Sequence, residues 1–135
     1  MDMKIIKKYD KYNMKSLKRQ AKAACHKYIR ERDAGKPCIS CSKPTFEHAG
    51  HFYKSELYSL IRYHENNIHG QCVRCNHFLN GNEGMYRKNI LNRISEQELE
   101  ELDYLAAMSK KTAIKRTRLD YILIIEKYKK KLKEL

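Results

Sequence analysis

At 135 residues, with 29 Lys and Arg against 16 Asp and Glu, the chain carries a formal charge of +13 and has room for one domain or a small domain with helical extensions, but not for two large cores. Such a charge points to a polyanionic partner, with a merely solvated surface as the lesser alternative; ribosomal proteins are as basic, so charge alone does not decide the function. No stretch approaches the roughly 20 consecutive apolar residues that span a bilayer, and residues 1–10 lack the apolar core of a signal peptide, so no membrane association and a cytoplasmic location are expected.

Charge is uneven along the chain: residues 1–37 hold 12 basic and 4 acidic side chains, 38–82 hold 4 and 3, and 83–135 hold 13 and 9. Three segments are therefore expected, namely a basic arm and helix over 1–37, a nearly neutral core over 38–93, and a helical hairpin over 94–135. Residues 1–12 have no clear period and read as a mobile arm. Over 14–33, Leu17, Ala21, Ala24 and Tyr28 recur at helical spacing, with Lys15, Lys18, Arg19, Lys22 and Arg30 around the rest of the helix. Cys25 falls among them and reads as a buried thiol. Gly35 and Pro37 end the helix.

The next stretch is too turn-rich for a helix, and short strands are expected at 46–48, 52–54, 60–63 and 68–71, with a turn over 64–67. A helix should follow Cys75, broken by Gly81 and Gly84 before a second one over 85–92. Ser95-Glu96-Gln97-Glu98 is a capping-box pattern with Ile94 and Leu99 as its staple, which predicts a helix over 96–108. Thr117 to Asp120 gives a similar start signal, followed by a stripe of Tyr121, Ile124, Ile125, Tyr128, Leu132 and Leu135. That stripe either packs on the 96–108 helix or forms a homodimer interface.

Four of the five cysteines form two C-x-x-C pairs, Cys38/Cys41 and Cys72/Cys75, separated by 30 residues. In a reducing compartment this spacing favours a tetrahedral four-thiolate zinc site over disulfides. Four protein ligands leave no open position, so such a zinc is structural. Within and beside the loop it closes lie His48, His51, Asn67, His69 and Asn76. Phosphodiester hydrolysis needs a base to activate water and a divalent cation to offset developing charge, and His and Asn side chains suit those tasks. The same side chains also serve as ordinary hydrogen-bonding groups, the simpler role for His69. Asn80, four residues after Asn76, shares its face if the helix is continuous.

Taken in order, these motifs resemble zinc-containing HNH (His-Me, ββα-metal) nucleases. More narrowly, Tyr28-Ile-Arg-Glu-Arg-Asp33, Pro37-Cys-Ile-Ser-Cys41, His48-Ala-Gly-His51, Asn67-Ile-His-Gly-Gln-Cys72, Cys75-Asn76 and Gly81-Asn82 resemble the lambdoid-phage recombination endonuclease family NinG, also called Rap. The similarity runs over about residues 17–92. It implies an α+β fold: a small ββα-metal core stapled by structural Zn2+ and flanked by an N-terminal helix and C-terminal helices. It also implies Mg2+- or Mn2+-dependent nicking or resolution of branched DNA, such as Holliday junctions and D-loops, in the bacterial host, with other phage recombination proteins as partners.

By that resemblance His51 is the general base, Asn67 its brace, and Asn76 a ligand of the catalytic metal. Many HNH nucleases have Asp or His just before the catalytic His, whereas this chain has Gly50, so His48 becomes the candidate replacement ligand. Glu47 and His48 as the acid–base pair, with His51 supporting, is the alternative. Lys54, Arg62, Arg74, Arg87 and Lys88 are candidate DNA contacts, or simply solvated charges. A non-catalytic zinc module that binds nucleic acid, and a homing or toxin nuclease, are the competing functions.

Overall fold

The computed structural model describes residues 2–135. In chain order the elements are helices α1 (Met3–Lys8) and α2 (Met14–Arg32), strands β1 (His48–His51) and β2 (Ile68–Gln71), and helices α3 (Glu83–Asn89), α4 (Glu96–Lys111) and α5 (Arg118–Lys133). Short 3-10 turns occupy Ser59–Ile61, Glu65–Asn67 and Ile90–Asn92, and a π turn occupies Arg74–Phe78. Contacts divide the chain into one unit of Met1–Tyr28 with Lys115–Leu135 and another of Ile29–Ile114. The two C-terminal helices therefore belong to different units, and the expected 94–135 hairpin is not one of them.

The first unit is helical. Its N-terminal stretch is not the mobile arm that its composition suggested, because Asp2 caps α1 by accepting from the Lys4 amide and Tyr9 is buried. The Tyr9 hydroxyl donates to Glu126, and the Arg118 guanidinium donates to the carbonyls of Tyr12 at 2.7 Å and Tyr9 at 3.2 Å. In α2 the buried positions Leu17, Ala21, Cys25 and Tyr28 recur at steps of four, four and three, as one helical stripe must. Tyr121, Ile122, Ile125 and Tyr128 of α5 are buried, and the Tyr28 and Tyr128 rings lie 5.5 Å apart. Of the expected stripe, Tyr121, Ile125 and Tyr128 are buried, Ile124 and Leu132 are half-buried, and Leu135 is exposed.

The second unit is built on one antiparallel pair, with His48 opposite Gln71, Ala49 opposite Gly70, Gly50 opposite His69 and His51 opposite Ile68. Of the four expected strands, 68–71 is present as expected, 46–48 moves to 48–51, and 52–54 and 60–63 are not strands. The backbone groups that a ladder would need there are taken by side chains. Asn67 binds both the N–H and the carbonyl of Tyr53, while the Ser109 hydroxyl accepts the Leu60 N–H at 3.1 Å. The core below comprises Ile39, Phe52, Ile61, Tyr86, Ile90, Ile94, Leu102 and Ala106. Helix α4 starts with the expected capping box at Ser95 and Glu98 and runs three residues beyond position 108. No described helix is long and apolar enough to cross a membrane.

Candidate functional site

The two C-x-x-C turns bring the sulfurs of Cys38, Cys41, Cys72 and Cys75 within 4.8 Å of one another. Cys41 and Cys72 Sγ are 3.7 Å apart, close to the edge of about 3.8 Å of a tetrahedron with 2.3 Å zinc–sulfur bonds. The backbone amides of Cys72 and Cys75 point at the Sγ atoms of Cys38 and Cys72, and the Asn82 amide points at that of Cys75. These are the contacts that thiolates need. Burial opposes ionisation of Cys38, but the surrounding N–H groups outweigh it and bring its thiol down to about 7, while burial pushes Cys75 up to about 12. A metal such as zinc fits this donor set.

His51 stands at the end of β1, where its Nε2 lies 2.8 Å from the Arg62 carbonyl. A carbonyl only accepts, so the neutral ring carries its proton on Nε2 and its basic lone pair on Nδ1. The Arg62 backbone is itself fixed, because its guanidinium donates twice to the Ser55 carbonyl, at 3.1 and 3.0 Å. Asn67 is fully buried below this loop. Its Oδ1 accepts from Tyr53 N at 2.8 Å, and its Nδ2 donates to the carbonyls of Tyr53 at 3.0 Å and Ile61 at 3.2 Å. One side chain therefore pins both ends of the segment that follows His51.

His48 and Asn76 meet side chain to side chain, Nδ1 to Nδ2, at 2.9 Å. His48 comes from β1 and Asn76 from the turn that holds Cys75. That turn is a π turn instead of a regular helix, and Asn80, Gly81 and Asn82 all have positive φ, so Asn80 does not continue the face of Asn76. Opposite His48 on the strand pair lies Gln71. Its Nε2 donates to Ser40 Oγ at 2.9 Å and to the Gly81 carbonyl at 2.7 Å, while its Oε1 is buried with no hydrogen-bond partner. Gly50 is glycine for a visible reason, since a Cβ there would lie 2.0 Å from Gln71 Oε1.

Below the strands a buried network fixes their position. Arg32 donates to both oxygens of Asp33 and, at 2.8 Å, to the Ile68 carbonyl, while Asp33 Oδ2 accepts the Gly70 amide at 2.8 Å. Burial by itself would raise the Asp33 carboxyl, but the Arg32 bond and charge hold it below the ordinary carboxylate value. His69 is buried, and its Nδ1 lies 3.1 Å from the Tyr86 hydroxyl, which in turn donates to the Gly50 carbonyl at 2.7 Å. Burial, reinforced by the Arg32 charge, pushes His69 down to about 3, so the ring is a neutral hydrogen-bonding group. Sequence reasoning gave Gln71 and Asp33 no role, although both stand in the motifs quoted above.

The basic candidates separate. Arg74 and Lys88 are exposed and Lys54 is half-buried. Arg87 pairs with Asp103 at 2.8 Å and donates to the Tyr53 hydroxyl at 2.9 Å, and Arg62 holds the Ser55 loop, so both have structural duties.

A family profile described as Bacteriophage Lambda NinG protein matches residues 2–135. The curated relatives include protein ninG of Escherichia phage 933W and protein ninG of Enterobacteria phage VT2-Sa, each 37% identical over 119 residues, covering 87% of this chain and 57% of the relative. Protein ninG of Escherichia phage lambda is 39% identical over 87 residues, covering 63% of this chain and 43% of the relative. The chain thus spans about half the length of the curated relatives it matches. No solved structure matches it significantly.

Proposed function

The chain belongs to the NinG family of lambdoid-phage proteins, and on that premise we propose that it is a metal-dependent endonuclease that nicks or resolves branched DNA during phage recombination in the host cytoplasm. The observation that carries this reading is His51 held through Nε2 by a pinned backbone carbonyl, beside a strand whose other end presents His48 to Asn76.

In this reading His51 Nδ1 takes a proton from the attacking water. Arg62 and Asn67 act through it as positioning residues, keeping the ring in one tautomer and one orientation. His48 and Asn76 hold a divalent cation, Mg2+ or Mn2+, which when bound offsets the charge that develops on the phosphate and the leaving oxygen. The four cysteines hold a structural Zn2+ that fixes the strand pair relative to the π turn and takes no part in the chemistry. Exposed Arg74 and Lys88, together with the basic helices, contribute phosphate contacts.

The test is cleavage of linear, flap, D-loop and four-way DNA with Mg2+ or Mn2+, comparing the full chain with His51→Ala. Loss of about 100-fold or more in rate is expected, the scale of a general base. Equal rates would remove His51 from the mechanism. An absence of cleavage on every substrate, with salt-sensitive binding retained, would make the protein a non-catalytic zinc module.

A further inference from the structure

A divalent cation beside His48 and Asn76 needs more than one imidazole nitrogen and one amide oxygen, because hard cations prefer oxygen donors in number. At position 50, the strand position on the same face as His48, no side chain can supply one. The reason is steric and specific: the space where a side chain would begin is taken by the carboxamide of Gln71, with Oε1 2.0 Å and Cδ 2.9 Å from an ideal Cβ on Gly50. Gln71 is the cross-strand partner of His48, so their side chains leave the sheet on the same face.

The orientation of that amide is not arbitrary. The Gly81 carbonyl can only accept, so the end of Gln71 lying 2.7 Å from it is the NH2 group, and the opposite end is the oxygen. This Oε1 is buried with no hydrogen-bond partner, whereas buried acceptors in folded proteins nearly always have one. An oriented, buried oxygen with no hydrogen-bond donor is a suitable ligand atom for a hard cation.

We infer that Gln71 Oε1 is the oxygen ligand that the cation at His48 and Asn76 takes in place of a side chain at position 50, delivered from β2 because β1 carries Gly50. The inference rests on the proposed cation site. It adds that the donor set of His48, Asn76 and Gln71 carries no formal charge, so the cation binds free protein loosely and is held in part by the DNA phosphate.

The experiment is Mn2+ binding by the zinc-loaded full chain, followed by electron paramagnetic resonance, in wild type, His48→Ala, Asn76→Ala, Gln71→Ala and the double variant Gly50→Asp/Gln71→Ala. Gln71→Ala is expected to weaken Mn2+ binding about tenfold or more, equivalent to about 1.4 kcal/mol. The double variant, in which the smaller residue makes room for a carboxylate on β1, is expected to recover it. Affinity within about twofold of wild type in zinc-loaded Gln71→Ala, while His48→Ala and Asn76→Ala still weaken binding, overturns the inference and leaves the cation site standing. No effect from any of the three, or no binding by wild type, overturns the site and the inference together. Should Gln71→Ala lose its zinc, the wild type decides: on addition of Mg2+ the Gln71 side-chain amide resonance must move along with those of His48 and Asn76, and a stationary Gln71 signal overturns the assignment.

Discussion

Replacing Asn67 by Ala removes one side chain and leaves three partners behind: the Tyr53 N–H, the Tyr53 carbonyl and the Ile61 carbonyl. Asn67 is fully buried, so water does not replace these bonds without opening the loop. An unmade buried donor or acceptor costs about 1–3 kcal/mol, and carbonyls tolerate the loss better than an N–H. Counting the N–H in full and the two carbonyls at the low end gives a loss of roughly 3–5 kcal/mol. Against a typical total of about 5–15 kcal/mol this is severe but survivable. Urea unfolding of the zinc-loaded protein measures it as a lower midpoint with little change in slope. Asn67→Asp is the sharper companion, because it keeps the acceptor for Tyr53 N but turns a carboxylate toward two carbonyls. It should be at least as damaging as Ala. A loss below about 1 kcal/mol for Ala, or an Asp variant close to wild type, would refute the pinning account.

The other expectations concern separate parts of the second unit. Chelation of the metal under reducing conditions should release all four sulfurs to a thiol reagent and collapse the near-ultraviolet tyrosine signal, because metal binding and folding are one free energy in such sites. Asp33→Ala should destabilise by about 3–5 kcal/mol, since it strands Arg32 and the Gly70 amide. In the wild type Asp33 has a depressed folded pKa, so its contribution is complete above the ordinary carboxylate range and is lost as pH falls below about 4 toward the folded value. A pH series of unfolding midpoints for wild type and Asp33→Asn, parallel below pH 4, would contradict this. Arg74→Ala or Lys88→Ala should each reduce the slope of log affinity against log salt by roughly one without lowering stability. Arg87→Ala should instead lower the melting temperature, through its lost bonds to Asp103 and Tyr53.

The candidate site was legible where it is carried by residue types with narrow uses. Two C-x-x-C pairs imply a cluster wherever the chain goes between them, and His48, His51, Asn67 and Asn76 do converge around the strand pair that those cysteines bracket. The capping boxes at Ser95 and Thr117 were legible because they are local chemistry, decided within four residues. The strands were legible only in part: 68–71 was, and 46–48 was displaced to 48–51. At 52–54 and 60–63 the aromatic and aliphatic composition suits a ladder, but the backbone is diverted by Asn67 and Ser109, residues distant in sequence whose choice of partner no local pattern reveals. The N-terminal stretch misled for a similar reason, since Tyr9 is buried through contacts made more than 100 positions away. Gln71 was hidden because an amide in a strand is common, and what sets it apart, a buried oxygen lying over Gly50, shows only in three dimensions.

The pin at Asn67 also decides where the chain can grow. Closing a flexible loop costs only about 0.6 kcal/mol more for each doubling of its length, provided its ends are already fixed. Here they are fixed at Tyr53 and Ile61, while Glu56 and Leu57 between them are exposed at the tip. Extra residues spliced between Glu56 and Leu57 would therefore lengthen the tip while leaving the Arg62 carbonyl, and with it the His51 ring, in place. The tip beside the candidate site is thus a place where an added recognition segment can be accommodated without disturbing the contacts that position His51.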